Sequence, residues 1–139
     1  ITDRKKEMFK TSGGKYIAPA VLESELKQSR FIEQIMIIGE SEKMPAAILQ
    51  VNFEFAKEWA LRKNLDATSI LTNEQFLDRI AEEIHLHNQK FGKWEQIKKF
   101  EITPDEWTIE AGHLTPTMKM KRKIIKEKYH DLYLKIYNS

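Results

Sequence analysis

Cysteine is absent from the 139-residue sequence. Disulfides, thiolate metal centres and a cysteine nucleophile are therefore excluded, a composition that fits a reducing compartment. Glycine (5) and proline (4) are sparse, which excludes collagen-like and low-complexity chains. No stretch approaches the roughly 18 consecutive apolar residues of a membrane span. The start lacks the charged head and apolar run of a secretory leader. Residue 1 is Ile, not Met, and we expect the chain to be part of something longer. What is present is an ordinary globular mixture, 41% hydrophobic and 32% charged, too apolar and too balanced in charge for disorder. At this length the size prior gives one domain that buries roughly two-thirds of its unfolded surface.

The net charge of +2 conceals an asymmetry. Residues 1–15 sum to +3 and residues 117–128 to +5, while 16–116 sum to −6. Two short basic segments thus bracket an acidic body. Such segments attract phosphates, nucleic acid or acidic surfaces, and they also serve simply as solvated faces.

Hydrophobic spacing predicts a small α+β domain: a short, largely antiparallel sheet with an N-terminal β-hairpin, covered by helices. Thr11-Ser12-Gly13-Gly14 breaks the first 18 residues into a hairpin. Pro19 opens a helix through about Arg30. Ile32 to Gly39 and Ala46 to Phe53 read as paired strands. Phe55 to Lys63 reads as a helix that turns Trp59 and either Ala60 or Leu61 inward. A capping box at Thr72-Asn73-Glu74-Gln75 starts a helix that runs to about Gln89. Ile97 to Thr103 resembles a third strand. Trp107 to Thr117 is a loop, and one last helix spans about Arg122 to Tyr137, burying Ile125, Tyr129, Leu132 and Ile136.

Most candidate chemistry is weak. Lys10 to Lys15 fails as a nucleotide-binding phosphate loop, because Phe9 replaces the first glycine and Tyr16 the Ser/Thr. His85 and His87 lie about 200° apart around a helix and cannot share a metal ion. His113 has no nucleophile at any fixed offset. Tyr129, Tyr133 and Tyr137 read as helix packing, and the RNA-recognition signature is missing. Lys119 stands out, because a loop anchored by the following helix can hold one cation over an anionic group.

Two segments carry a resemblance. Ile1-Thr2-Asp3-Arg4-Lys5-Lys6 with Lys10, the Gly13-Gly14 turn and Ile17-Ala18-Pro19 resembles the start of the C-terminal domain of AMP-forming acyl-CoA synthetases. Leu114-Thr115-Pro116-Thr117-Met118-Lys119-Met120-Lys121-Arg122 resembles that family's catalytic-lysine motif, in the form typical of long-chain fatty acyl enzymes. The likeness covers essentially the whole chain. It implies a lid of 1–139, with hinge and hairpin in 1–18 and an α+β body in 19–139, belonging to a larger enzyme.

The resemblance further implies two reactions in that enzyme. Fatty acid and ATP, with Mg²⁺, give acyl-adenylate and pyrophosphate; CoA then displaces AMP. Arg4 would contact the AMP ribose, Lys6 would be the hinge and Lys119 would reach the carboxylate and α-phosphate. Gly13 or Gly14 would line the pantetheine channel once the lid has turned. The partner would be the large N-terminal adenylation domain of the same polypeptide. The chain by itself would be inactive and would hold no cofactor tightly. The setting would be cytoplasmic, with peripheral membrane contact left open and no transmembrane segment. Two departures from the family pattern stand out. Met118 takes a place where many relatives have Gly, and the glycine turn is one residue longer. Register against Arg122 favours Lys119 over Lys121. The rival readings are a basic-edged nucleic-acid-binding domain and a non-catalytic protein-interaction module.

Overall fold

A β-branched run and a second apolar run turn alternate side chains to opposite faces of one sheet, and each face carries its own core. The computed structural model describes residues 8–138. Strands β1 (Phe9–Lys10) and β2 (Tyr16–Ile17) form the expected small hairpin. Strand β3 (Ile32–Ile38) runs antiparallel to β4 (Ala46–Val51), from Ile32 opposite Val51 to Ile38 opposite Ala46. Strand β5 (Phe100–Ile102) lies on the other side of β4 and is parallel to it. The sheet is therefore mixed, with β4 central and buried along its whole length. A parallel pairing needs a long crossover, and the helices between β4 and β5 supply it.

Ile35, Ile37, Ala47 and Leu49 face helices α1 (Pro19–Leu26), α2 (Phe53–Arg62) and α3 (Glu74–Asn88). Leu22 and Leu26, then Ala56 and Ala60, then Phe76, Ile80 and Ile84 complete that core at helical spacing. Met36, Ile38, Ala46 and Ile48 face the opposite way, onto Trp107, Ile125, Tyr129 and Ile136. This second core holds α4 (Arg122–Lys128) and α5 (His130–Asn138) against the sheet. The result is a small α+β architecture.

Several boundaries differ from the sequence reading, each for a local reason. Helix α1 stops at Leu26 instead of Arg30. Beyond it the Ser29 hydroxyl accepts the Phe31 N–H and donates to Glu83, so the chain turns toward β3. Helix α2 opens at Phe53, because the Asn52 side chain accepts the Phe55 N–H. Ala60, not Leu61, faces inward. The cap of α3 is Asn73, which accepts the Phe76 N–H, while the Thr72 hydroxyl donates to the Ser69 carbonyl.

The third strand is shorter than expected, since Asn88 takes both backbone groups of Ile97 away from the ladder. The last helix bends at Tyr129, where the backbone leaves helical geometry (φ −110°, ψ 32°). Hydrogen bonds from Tyr129 N–H to Ile125 and from Tyr133 N–H to Tyr129 continue across the bend.

Candidate functional site

Lys119 sits at the tip of a tight hairpin that the sequence reading left as loop. Leu114 and Met120 form its antiparallel bridge. Beyond them the Thr115 N–H donates to the Lys119 carbonyl at 2.8 Å and the Met118 N–H to the Thr115 carbonyl at 2.8 Å. The Thr115 hydroxyl accepts the Lys119 N–H at 3.1 Å. Pro116 pre-sets the first inner position of the turn, and Met118 closes it with a left-handed backbone (φ +67°).

Lys119 is exposed, and its ammonium has no carboxylate, carbonyl or ring partner among the described residues. Lys121 stands lower, at the foot of the hairpin, where its N–H donates to the His113 carbonyl and its residue caps α4.

The glycine turn repeats this geometry. The Thr11 N–H donates to the Lys15 carbonyl at 2.9 Å, and the Gly14 N–H to the Thr11 carbonyl at 3.0 Å. The Thr11 hydroxyl accepts the Lys15 N–H. Gly14 holds the left-handed place (φ +84°). Gly13 does not have a positive φ, and a Cβ there would meet nothing closer than the Thr11 hydroxyl at 4.0 Å. The left-handed backbone favours glycine at 14 and sets no such preference at 13. The hairpin rests on the β3–β4 turn, with Ser12 N–H donating to Glu42 and Ser41 N–H to Lys10. Beside it Lys10 lies over the Tyr16 ring and Lys15 over Trp94.

A charge pair joins the elements behind the two hairpins. The Arg122 guanidinium donates to both carboxylate oxygens of Glu23, at 2.6 and 2.5 Å. Glu23 is buried and also accepts the Ile37 N–H. Beneath the Lys119 hairpin lies a second network. The Thr108 N–H donates to His113 Nδ1, so the ring proton is on Nε2, which faces the Tyr129 hydroxyl at 2.8 Å. That hydroxyl donates to Asp105 at 3.0 Å. Burial, and secondarily the charge of Lys128, hold the His113 imidazole below its ordinary range. Burial also raises the phenol of Tyr129, and that of Tyr133 to about 12; Tyr133 donates to Glu42.

Arg4 and Lys6 lie outside the described residues, so the structure speaks only for Lys119, Gly13 and Gly14 among the expected site residues. It places the lysine hairpin and the glycine hairpin in two separate turns. His85 is exposed, whereas His87 bonds to Glu25 at 2.6 Å, beside Lys90. The bond from His87 holds the Glu25 carboxyl below the usual carboxylate range. Among the described residues no cluster of His, Cys, Asp or Glu could hold a metal ion, and no helix is long and apolar enough to cross a membrane.

Solved structures share this fold. The adenylation domain of a carboxylate reductase from Mycobacterium chelonae superposes with a TM-score of 0.80 at 21% identity, over 98% of this chain and 20% of that one. A Mycobacterium tuberculosis fatty acyl CoA synthetase gives 0.54 at 20% identity, over 89% and 20%. In sequence, residues 7–139 match the AMP-binding enzyme C-terminal domain, and the chain belongs to that family. It is 35% identical to a long-chain-fatty-acid–CoA ligase of M. tuberculosis, covering 99% of this chain and 24% of the ligase. Fatty acyl-CoA synthetase B of Dictyostelium discoideum is 34% identical, over 99% and 21%. The chain thus spans about a quarter or less of the length of these relatives.

Proposed function

We propose that this chain is the mobile lid of a long-chain fatty acid–CoA ligase and that Lys119 is the cation it lends to acyl-adenylate formation. The observation that carries this reading is the exposed ammonium, without a partner among the described residues, on a braced tip. Adenylation brings a carboxylate against a triphosphate, and a preorganised positive charge relieves the repulsion as the lid excludes water. Lys119 has the reach for this and Lys121, at the hairpin foot, has less. Mg²⁺ accompanies ATP as substrate, bound on the large domain.

The glycine hairpin serves the second step, in which CoA displaces AMP. Gly14 shapes the turn. Gly13, which the fold itself does not need, supplies the bare backbone past which a thin pantetheine arm runs. Arg4 at the AMP ribose and Lys6 at the hinge complete the assignment. Separate hairpins for the two steps suit a lid that turns between two poses over the large N-terminal domain. The enzyme would work in the cytoplasm, and this chain alone would not turn over fatty acid, ATP and CoA.

The test uses the full-length ligase and measures the half-reactions separately. Lys119→Ala should lower fatty-acid-dependent pyrophosphate exchange by roughly 10²–10³ and spare thioester formation from preformed acyl-adenylate. Gly13→Val should show the reverse pattern. Equal loss in both steps from each variant would remove the reading. Tight oligonucleotide binding at physiological salt, with both half-reactions intact in Lys119→Ala, would favour the nucleic-acid alternative.

A further inference from the structure

His113 is 1% exposed, and each of its polar groups is used. Its N–H donates to the Thr108 carbonyl at 3.0 Å, and its carbonyl accepts the Lys121 N–H at 2.8 Å. Its ring receives the Thr108 N–H and reaches the Tyr129 hydroxyl. The rings of Trp107, His113 and Tyr129 lie parallel, His113 being 5.7 Å from Trp107 and 5.9 Å from Tyr129. Residue 113 is therefore the first rung of the hairpin, followed by the Leu114–Met120 bridge and the Thr115–Lys119 rung that ends at the cation. Tyr129 is the residue at which α4 bends into α5. The hydrogen-bond order is fixed, from Thr108 N–H through His113 and the Tyr129 hydroxyl to the Asp105 carboxylate.

A two-stranded hairpin standing alone is marginal in water, so its direction comes from what its base is fastened to. Here the base is fastened by the imidazole to the joint between α4 and α5. We propose that His113 is a positioning residue for adenylation, which fixes the direction of the Lys119 hairpin through its hydrogen bond to Tyr129. This rests on the reading of Lys119 given above. The imidazole touches no reactant; it acts through the rungs above it. A displacement of the ammonium by about an ångström is enough to cost up to 10²-fold.

The experiment uses the full-length ligase with Tyr129→Phe, His113→Leu, His113→Gln and Asp105→Asn, alongside Lys119→Ala. Tyr129→Phe and His113→Leu should lower kcat for pyrophosphate exchange by roughly tenfold or more at unchanged KM for ATP and fatty acid. Thioester formation from preformed acyl-adenylate should be untouched. Gln places an amide N–H near the position of Nε2, so His113→Gln should recover most of the rate. Asp105 is exposed, so its Asn variant folds regardless and should show a smaller loss of the same kind, about threefold. Wild-type pyrophosphate exchange in Tyr129→Phe, or equal losses in both half-reactions across the series, would overturn the proposal. If Lys119→Ala also adenylates normally, it is the reading of Lys119 that has failed; if only Lys119→Ala loses the step, the fault lies with the role of His113 alone.

Discussion

Gly14 and Met118 hold equivalent places in two hairpins with the same hydrogen bonds. One is a glycine at φ +84° and the other a methionine at φ +67°. Each is followed by an exposed lysine, Lys15 or Lys119. For an L-residue the left-handed conformation costs about 1 kcal/mol or more. Met118 is 59% exposed and packs little in return. Met118→Gly should therefore raise stability by about 0.5 kcal/mol, the relief of strain being partly offset by the freer unfolded chain. Gly14→Ala should lower it by about 1 kcal/mol. Urea midpoints of the two variants decide the matter. A loss of stability in Met118→Gly would mean that the exposed methionine holds its turn by contacts that outweigh the strain.

These turns also show what was legible in the sequence. Glycine punctuation located the first hairpin, and Pro116 marked a loop beside Lys119 that the fold closes into the second, since turn chemistry is local. The strand from Ile32 was legible from its β-branched run, that from Ala46 from its apolar run, and α3 from apolar residues three and four apart. Partnerships between distant residues were not. Glu23 and Arg122 stand 99 positions apart and His113 and Tyr129 16 apart. No periodicity marks such pairs, because the fold brings them together. Asn88 likewise looked like a helix end, and its hold on Ile97 shortened β5. A histidine two residues after Ala111 carried no signal that its ring would be buried.

The Glu23–Arg122 pair makes a stability prediction. The carboxylate is buried and accepts from the guanidinium and from the Ile37 N–H, whereas the Arg122 side chain is about one-third exposed. Removing the arginine takes a bidentate guanidinium away from a buried carboxylate. Arg122→Met should cost about 3 kcal/mol, which thermal melts and urea titration would resolve. Glu23→Gln at the same site removes the charge together with part of its need for a partner. The double variant Glu23→Gln/Arg122→Met should accordingly recover part of the loss. Strict additivity of the two single changes would show that the groups do not act as a pair.

His113 predicts how stability depends on pH. Its ordinary pKa of 6.5 is lowered in the fold, mainly by burial, with Lys128 adding to the effect and Asp105 opposing it. In the folded chain Nδ1 accepts the Thr108 N–H, and protonation forfeits that bond. Between the lowered value and 6.5 the unfolded chain binds the proton more readily than the folded one, so stability rises with pH there. The contribution is complete above about 6.5 and is lost as pH falls from there through the folded value. Glu25 and Asp66, lowered from 4.5 and 3.8, lose theirs only at more acid pH. The wild type's resistance to urea should therefore fall on going from about pH 7.5 to 5.5, before those carboxylates titrate. His113→Gln, which has no proton to gain, should flatten this segment of the curve. An equal slope in the two proteins would place the titrating group elsewhere.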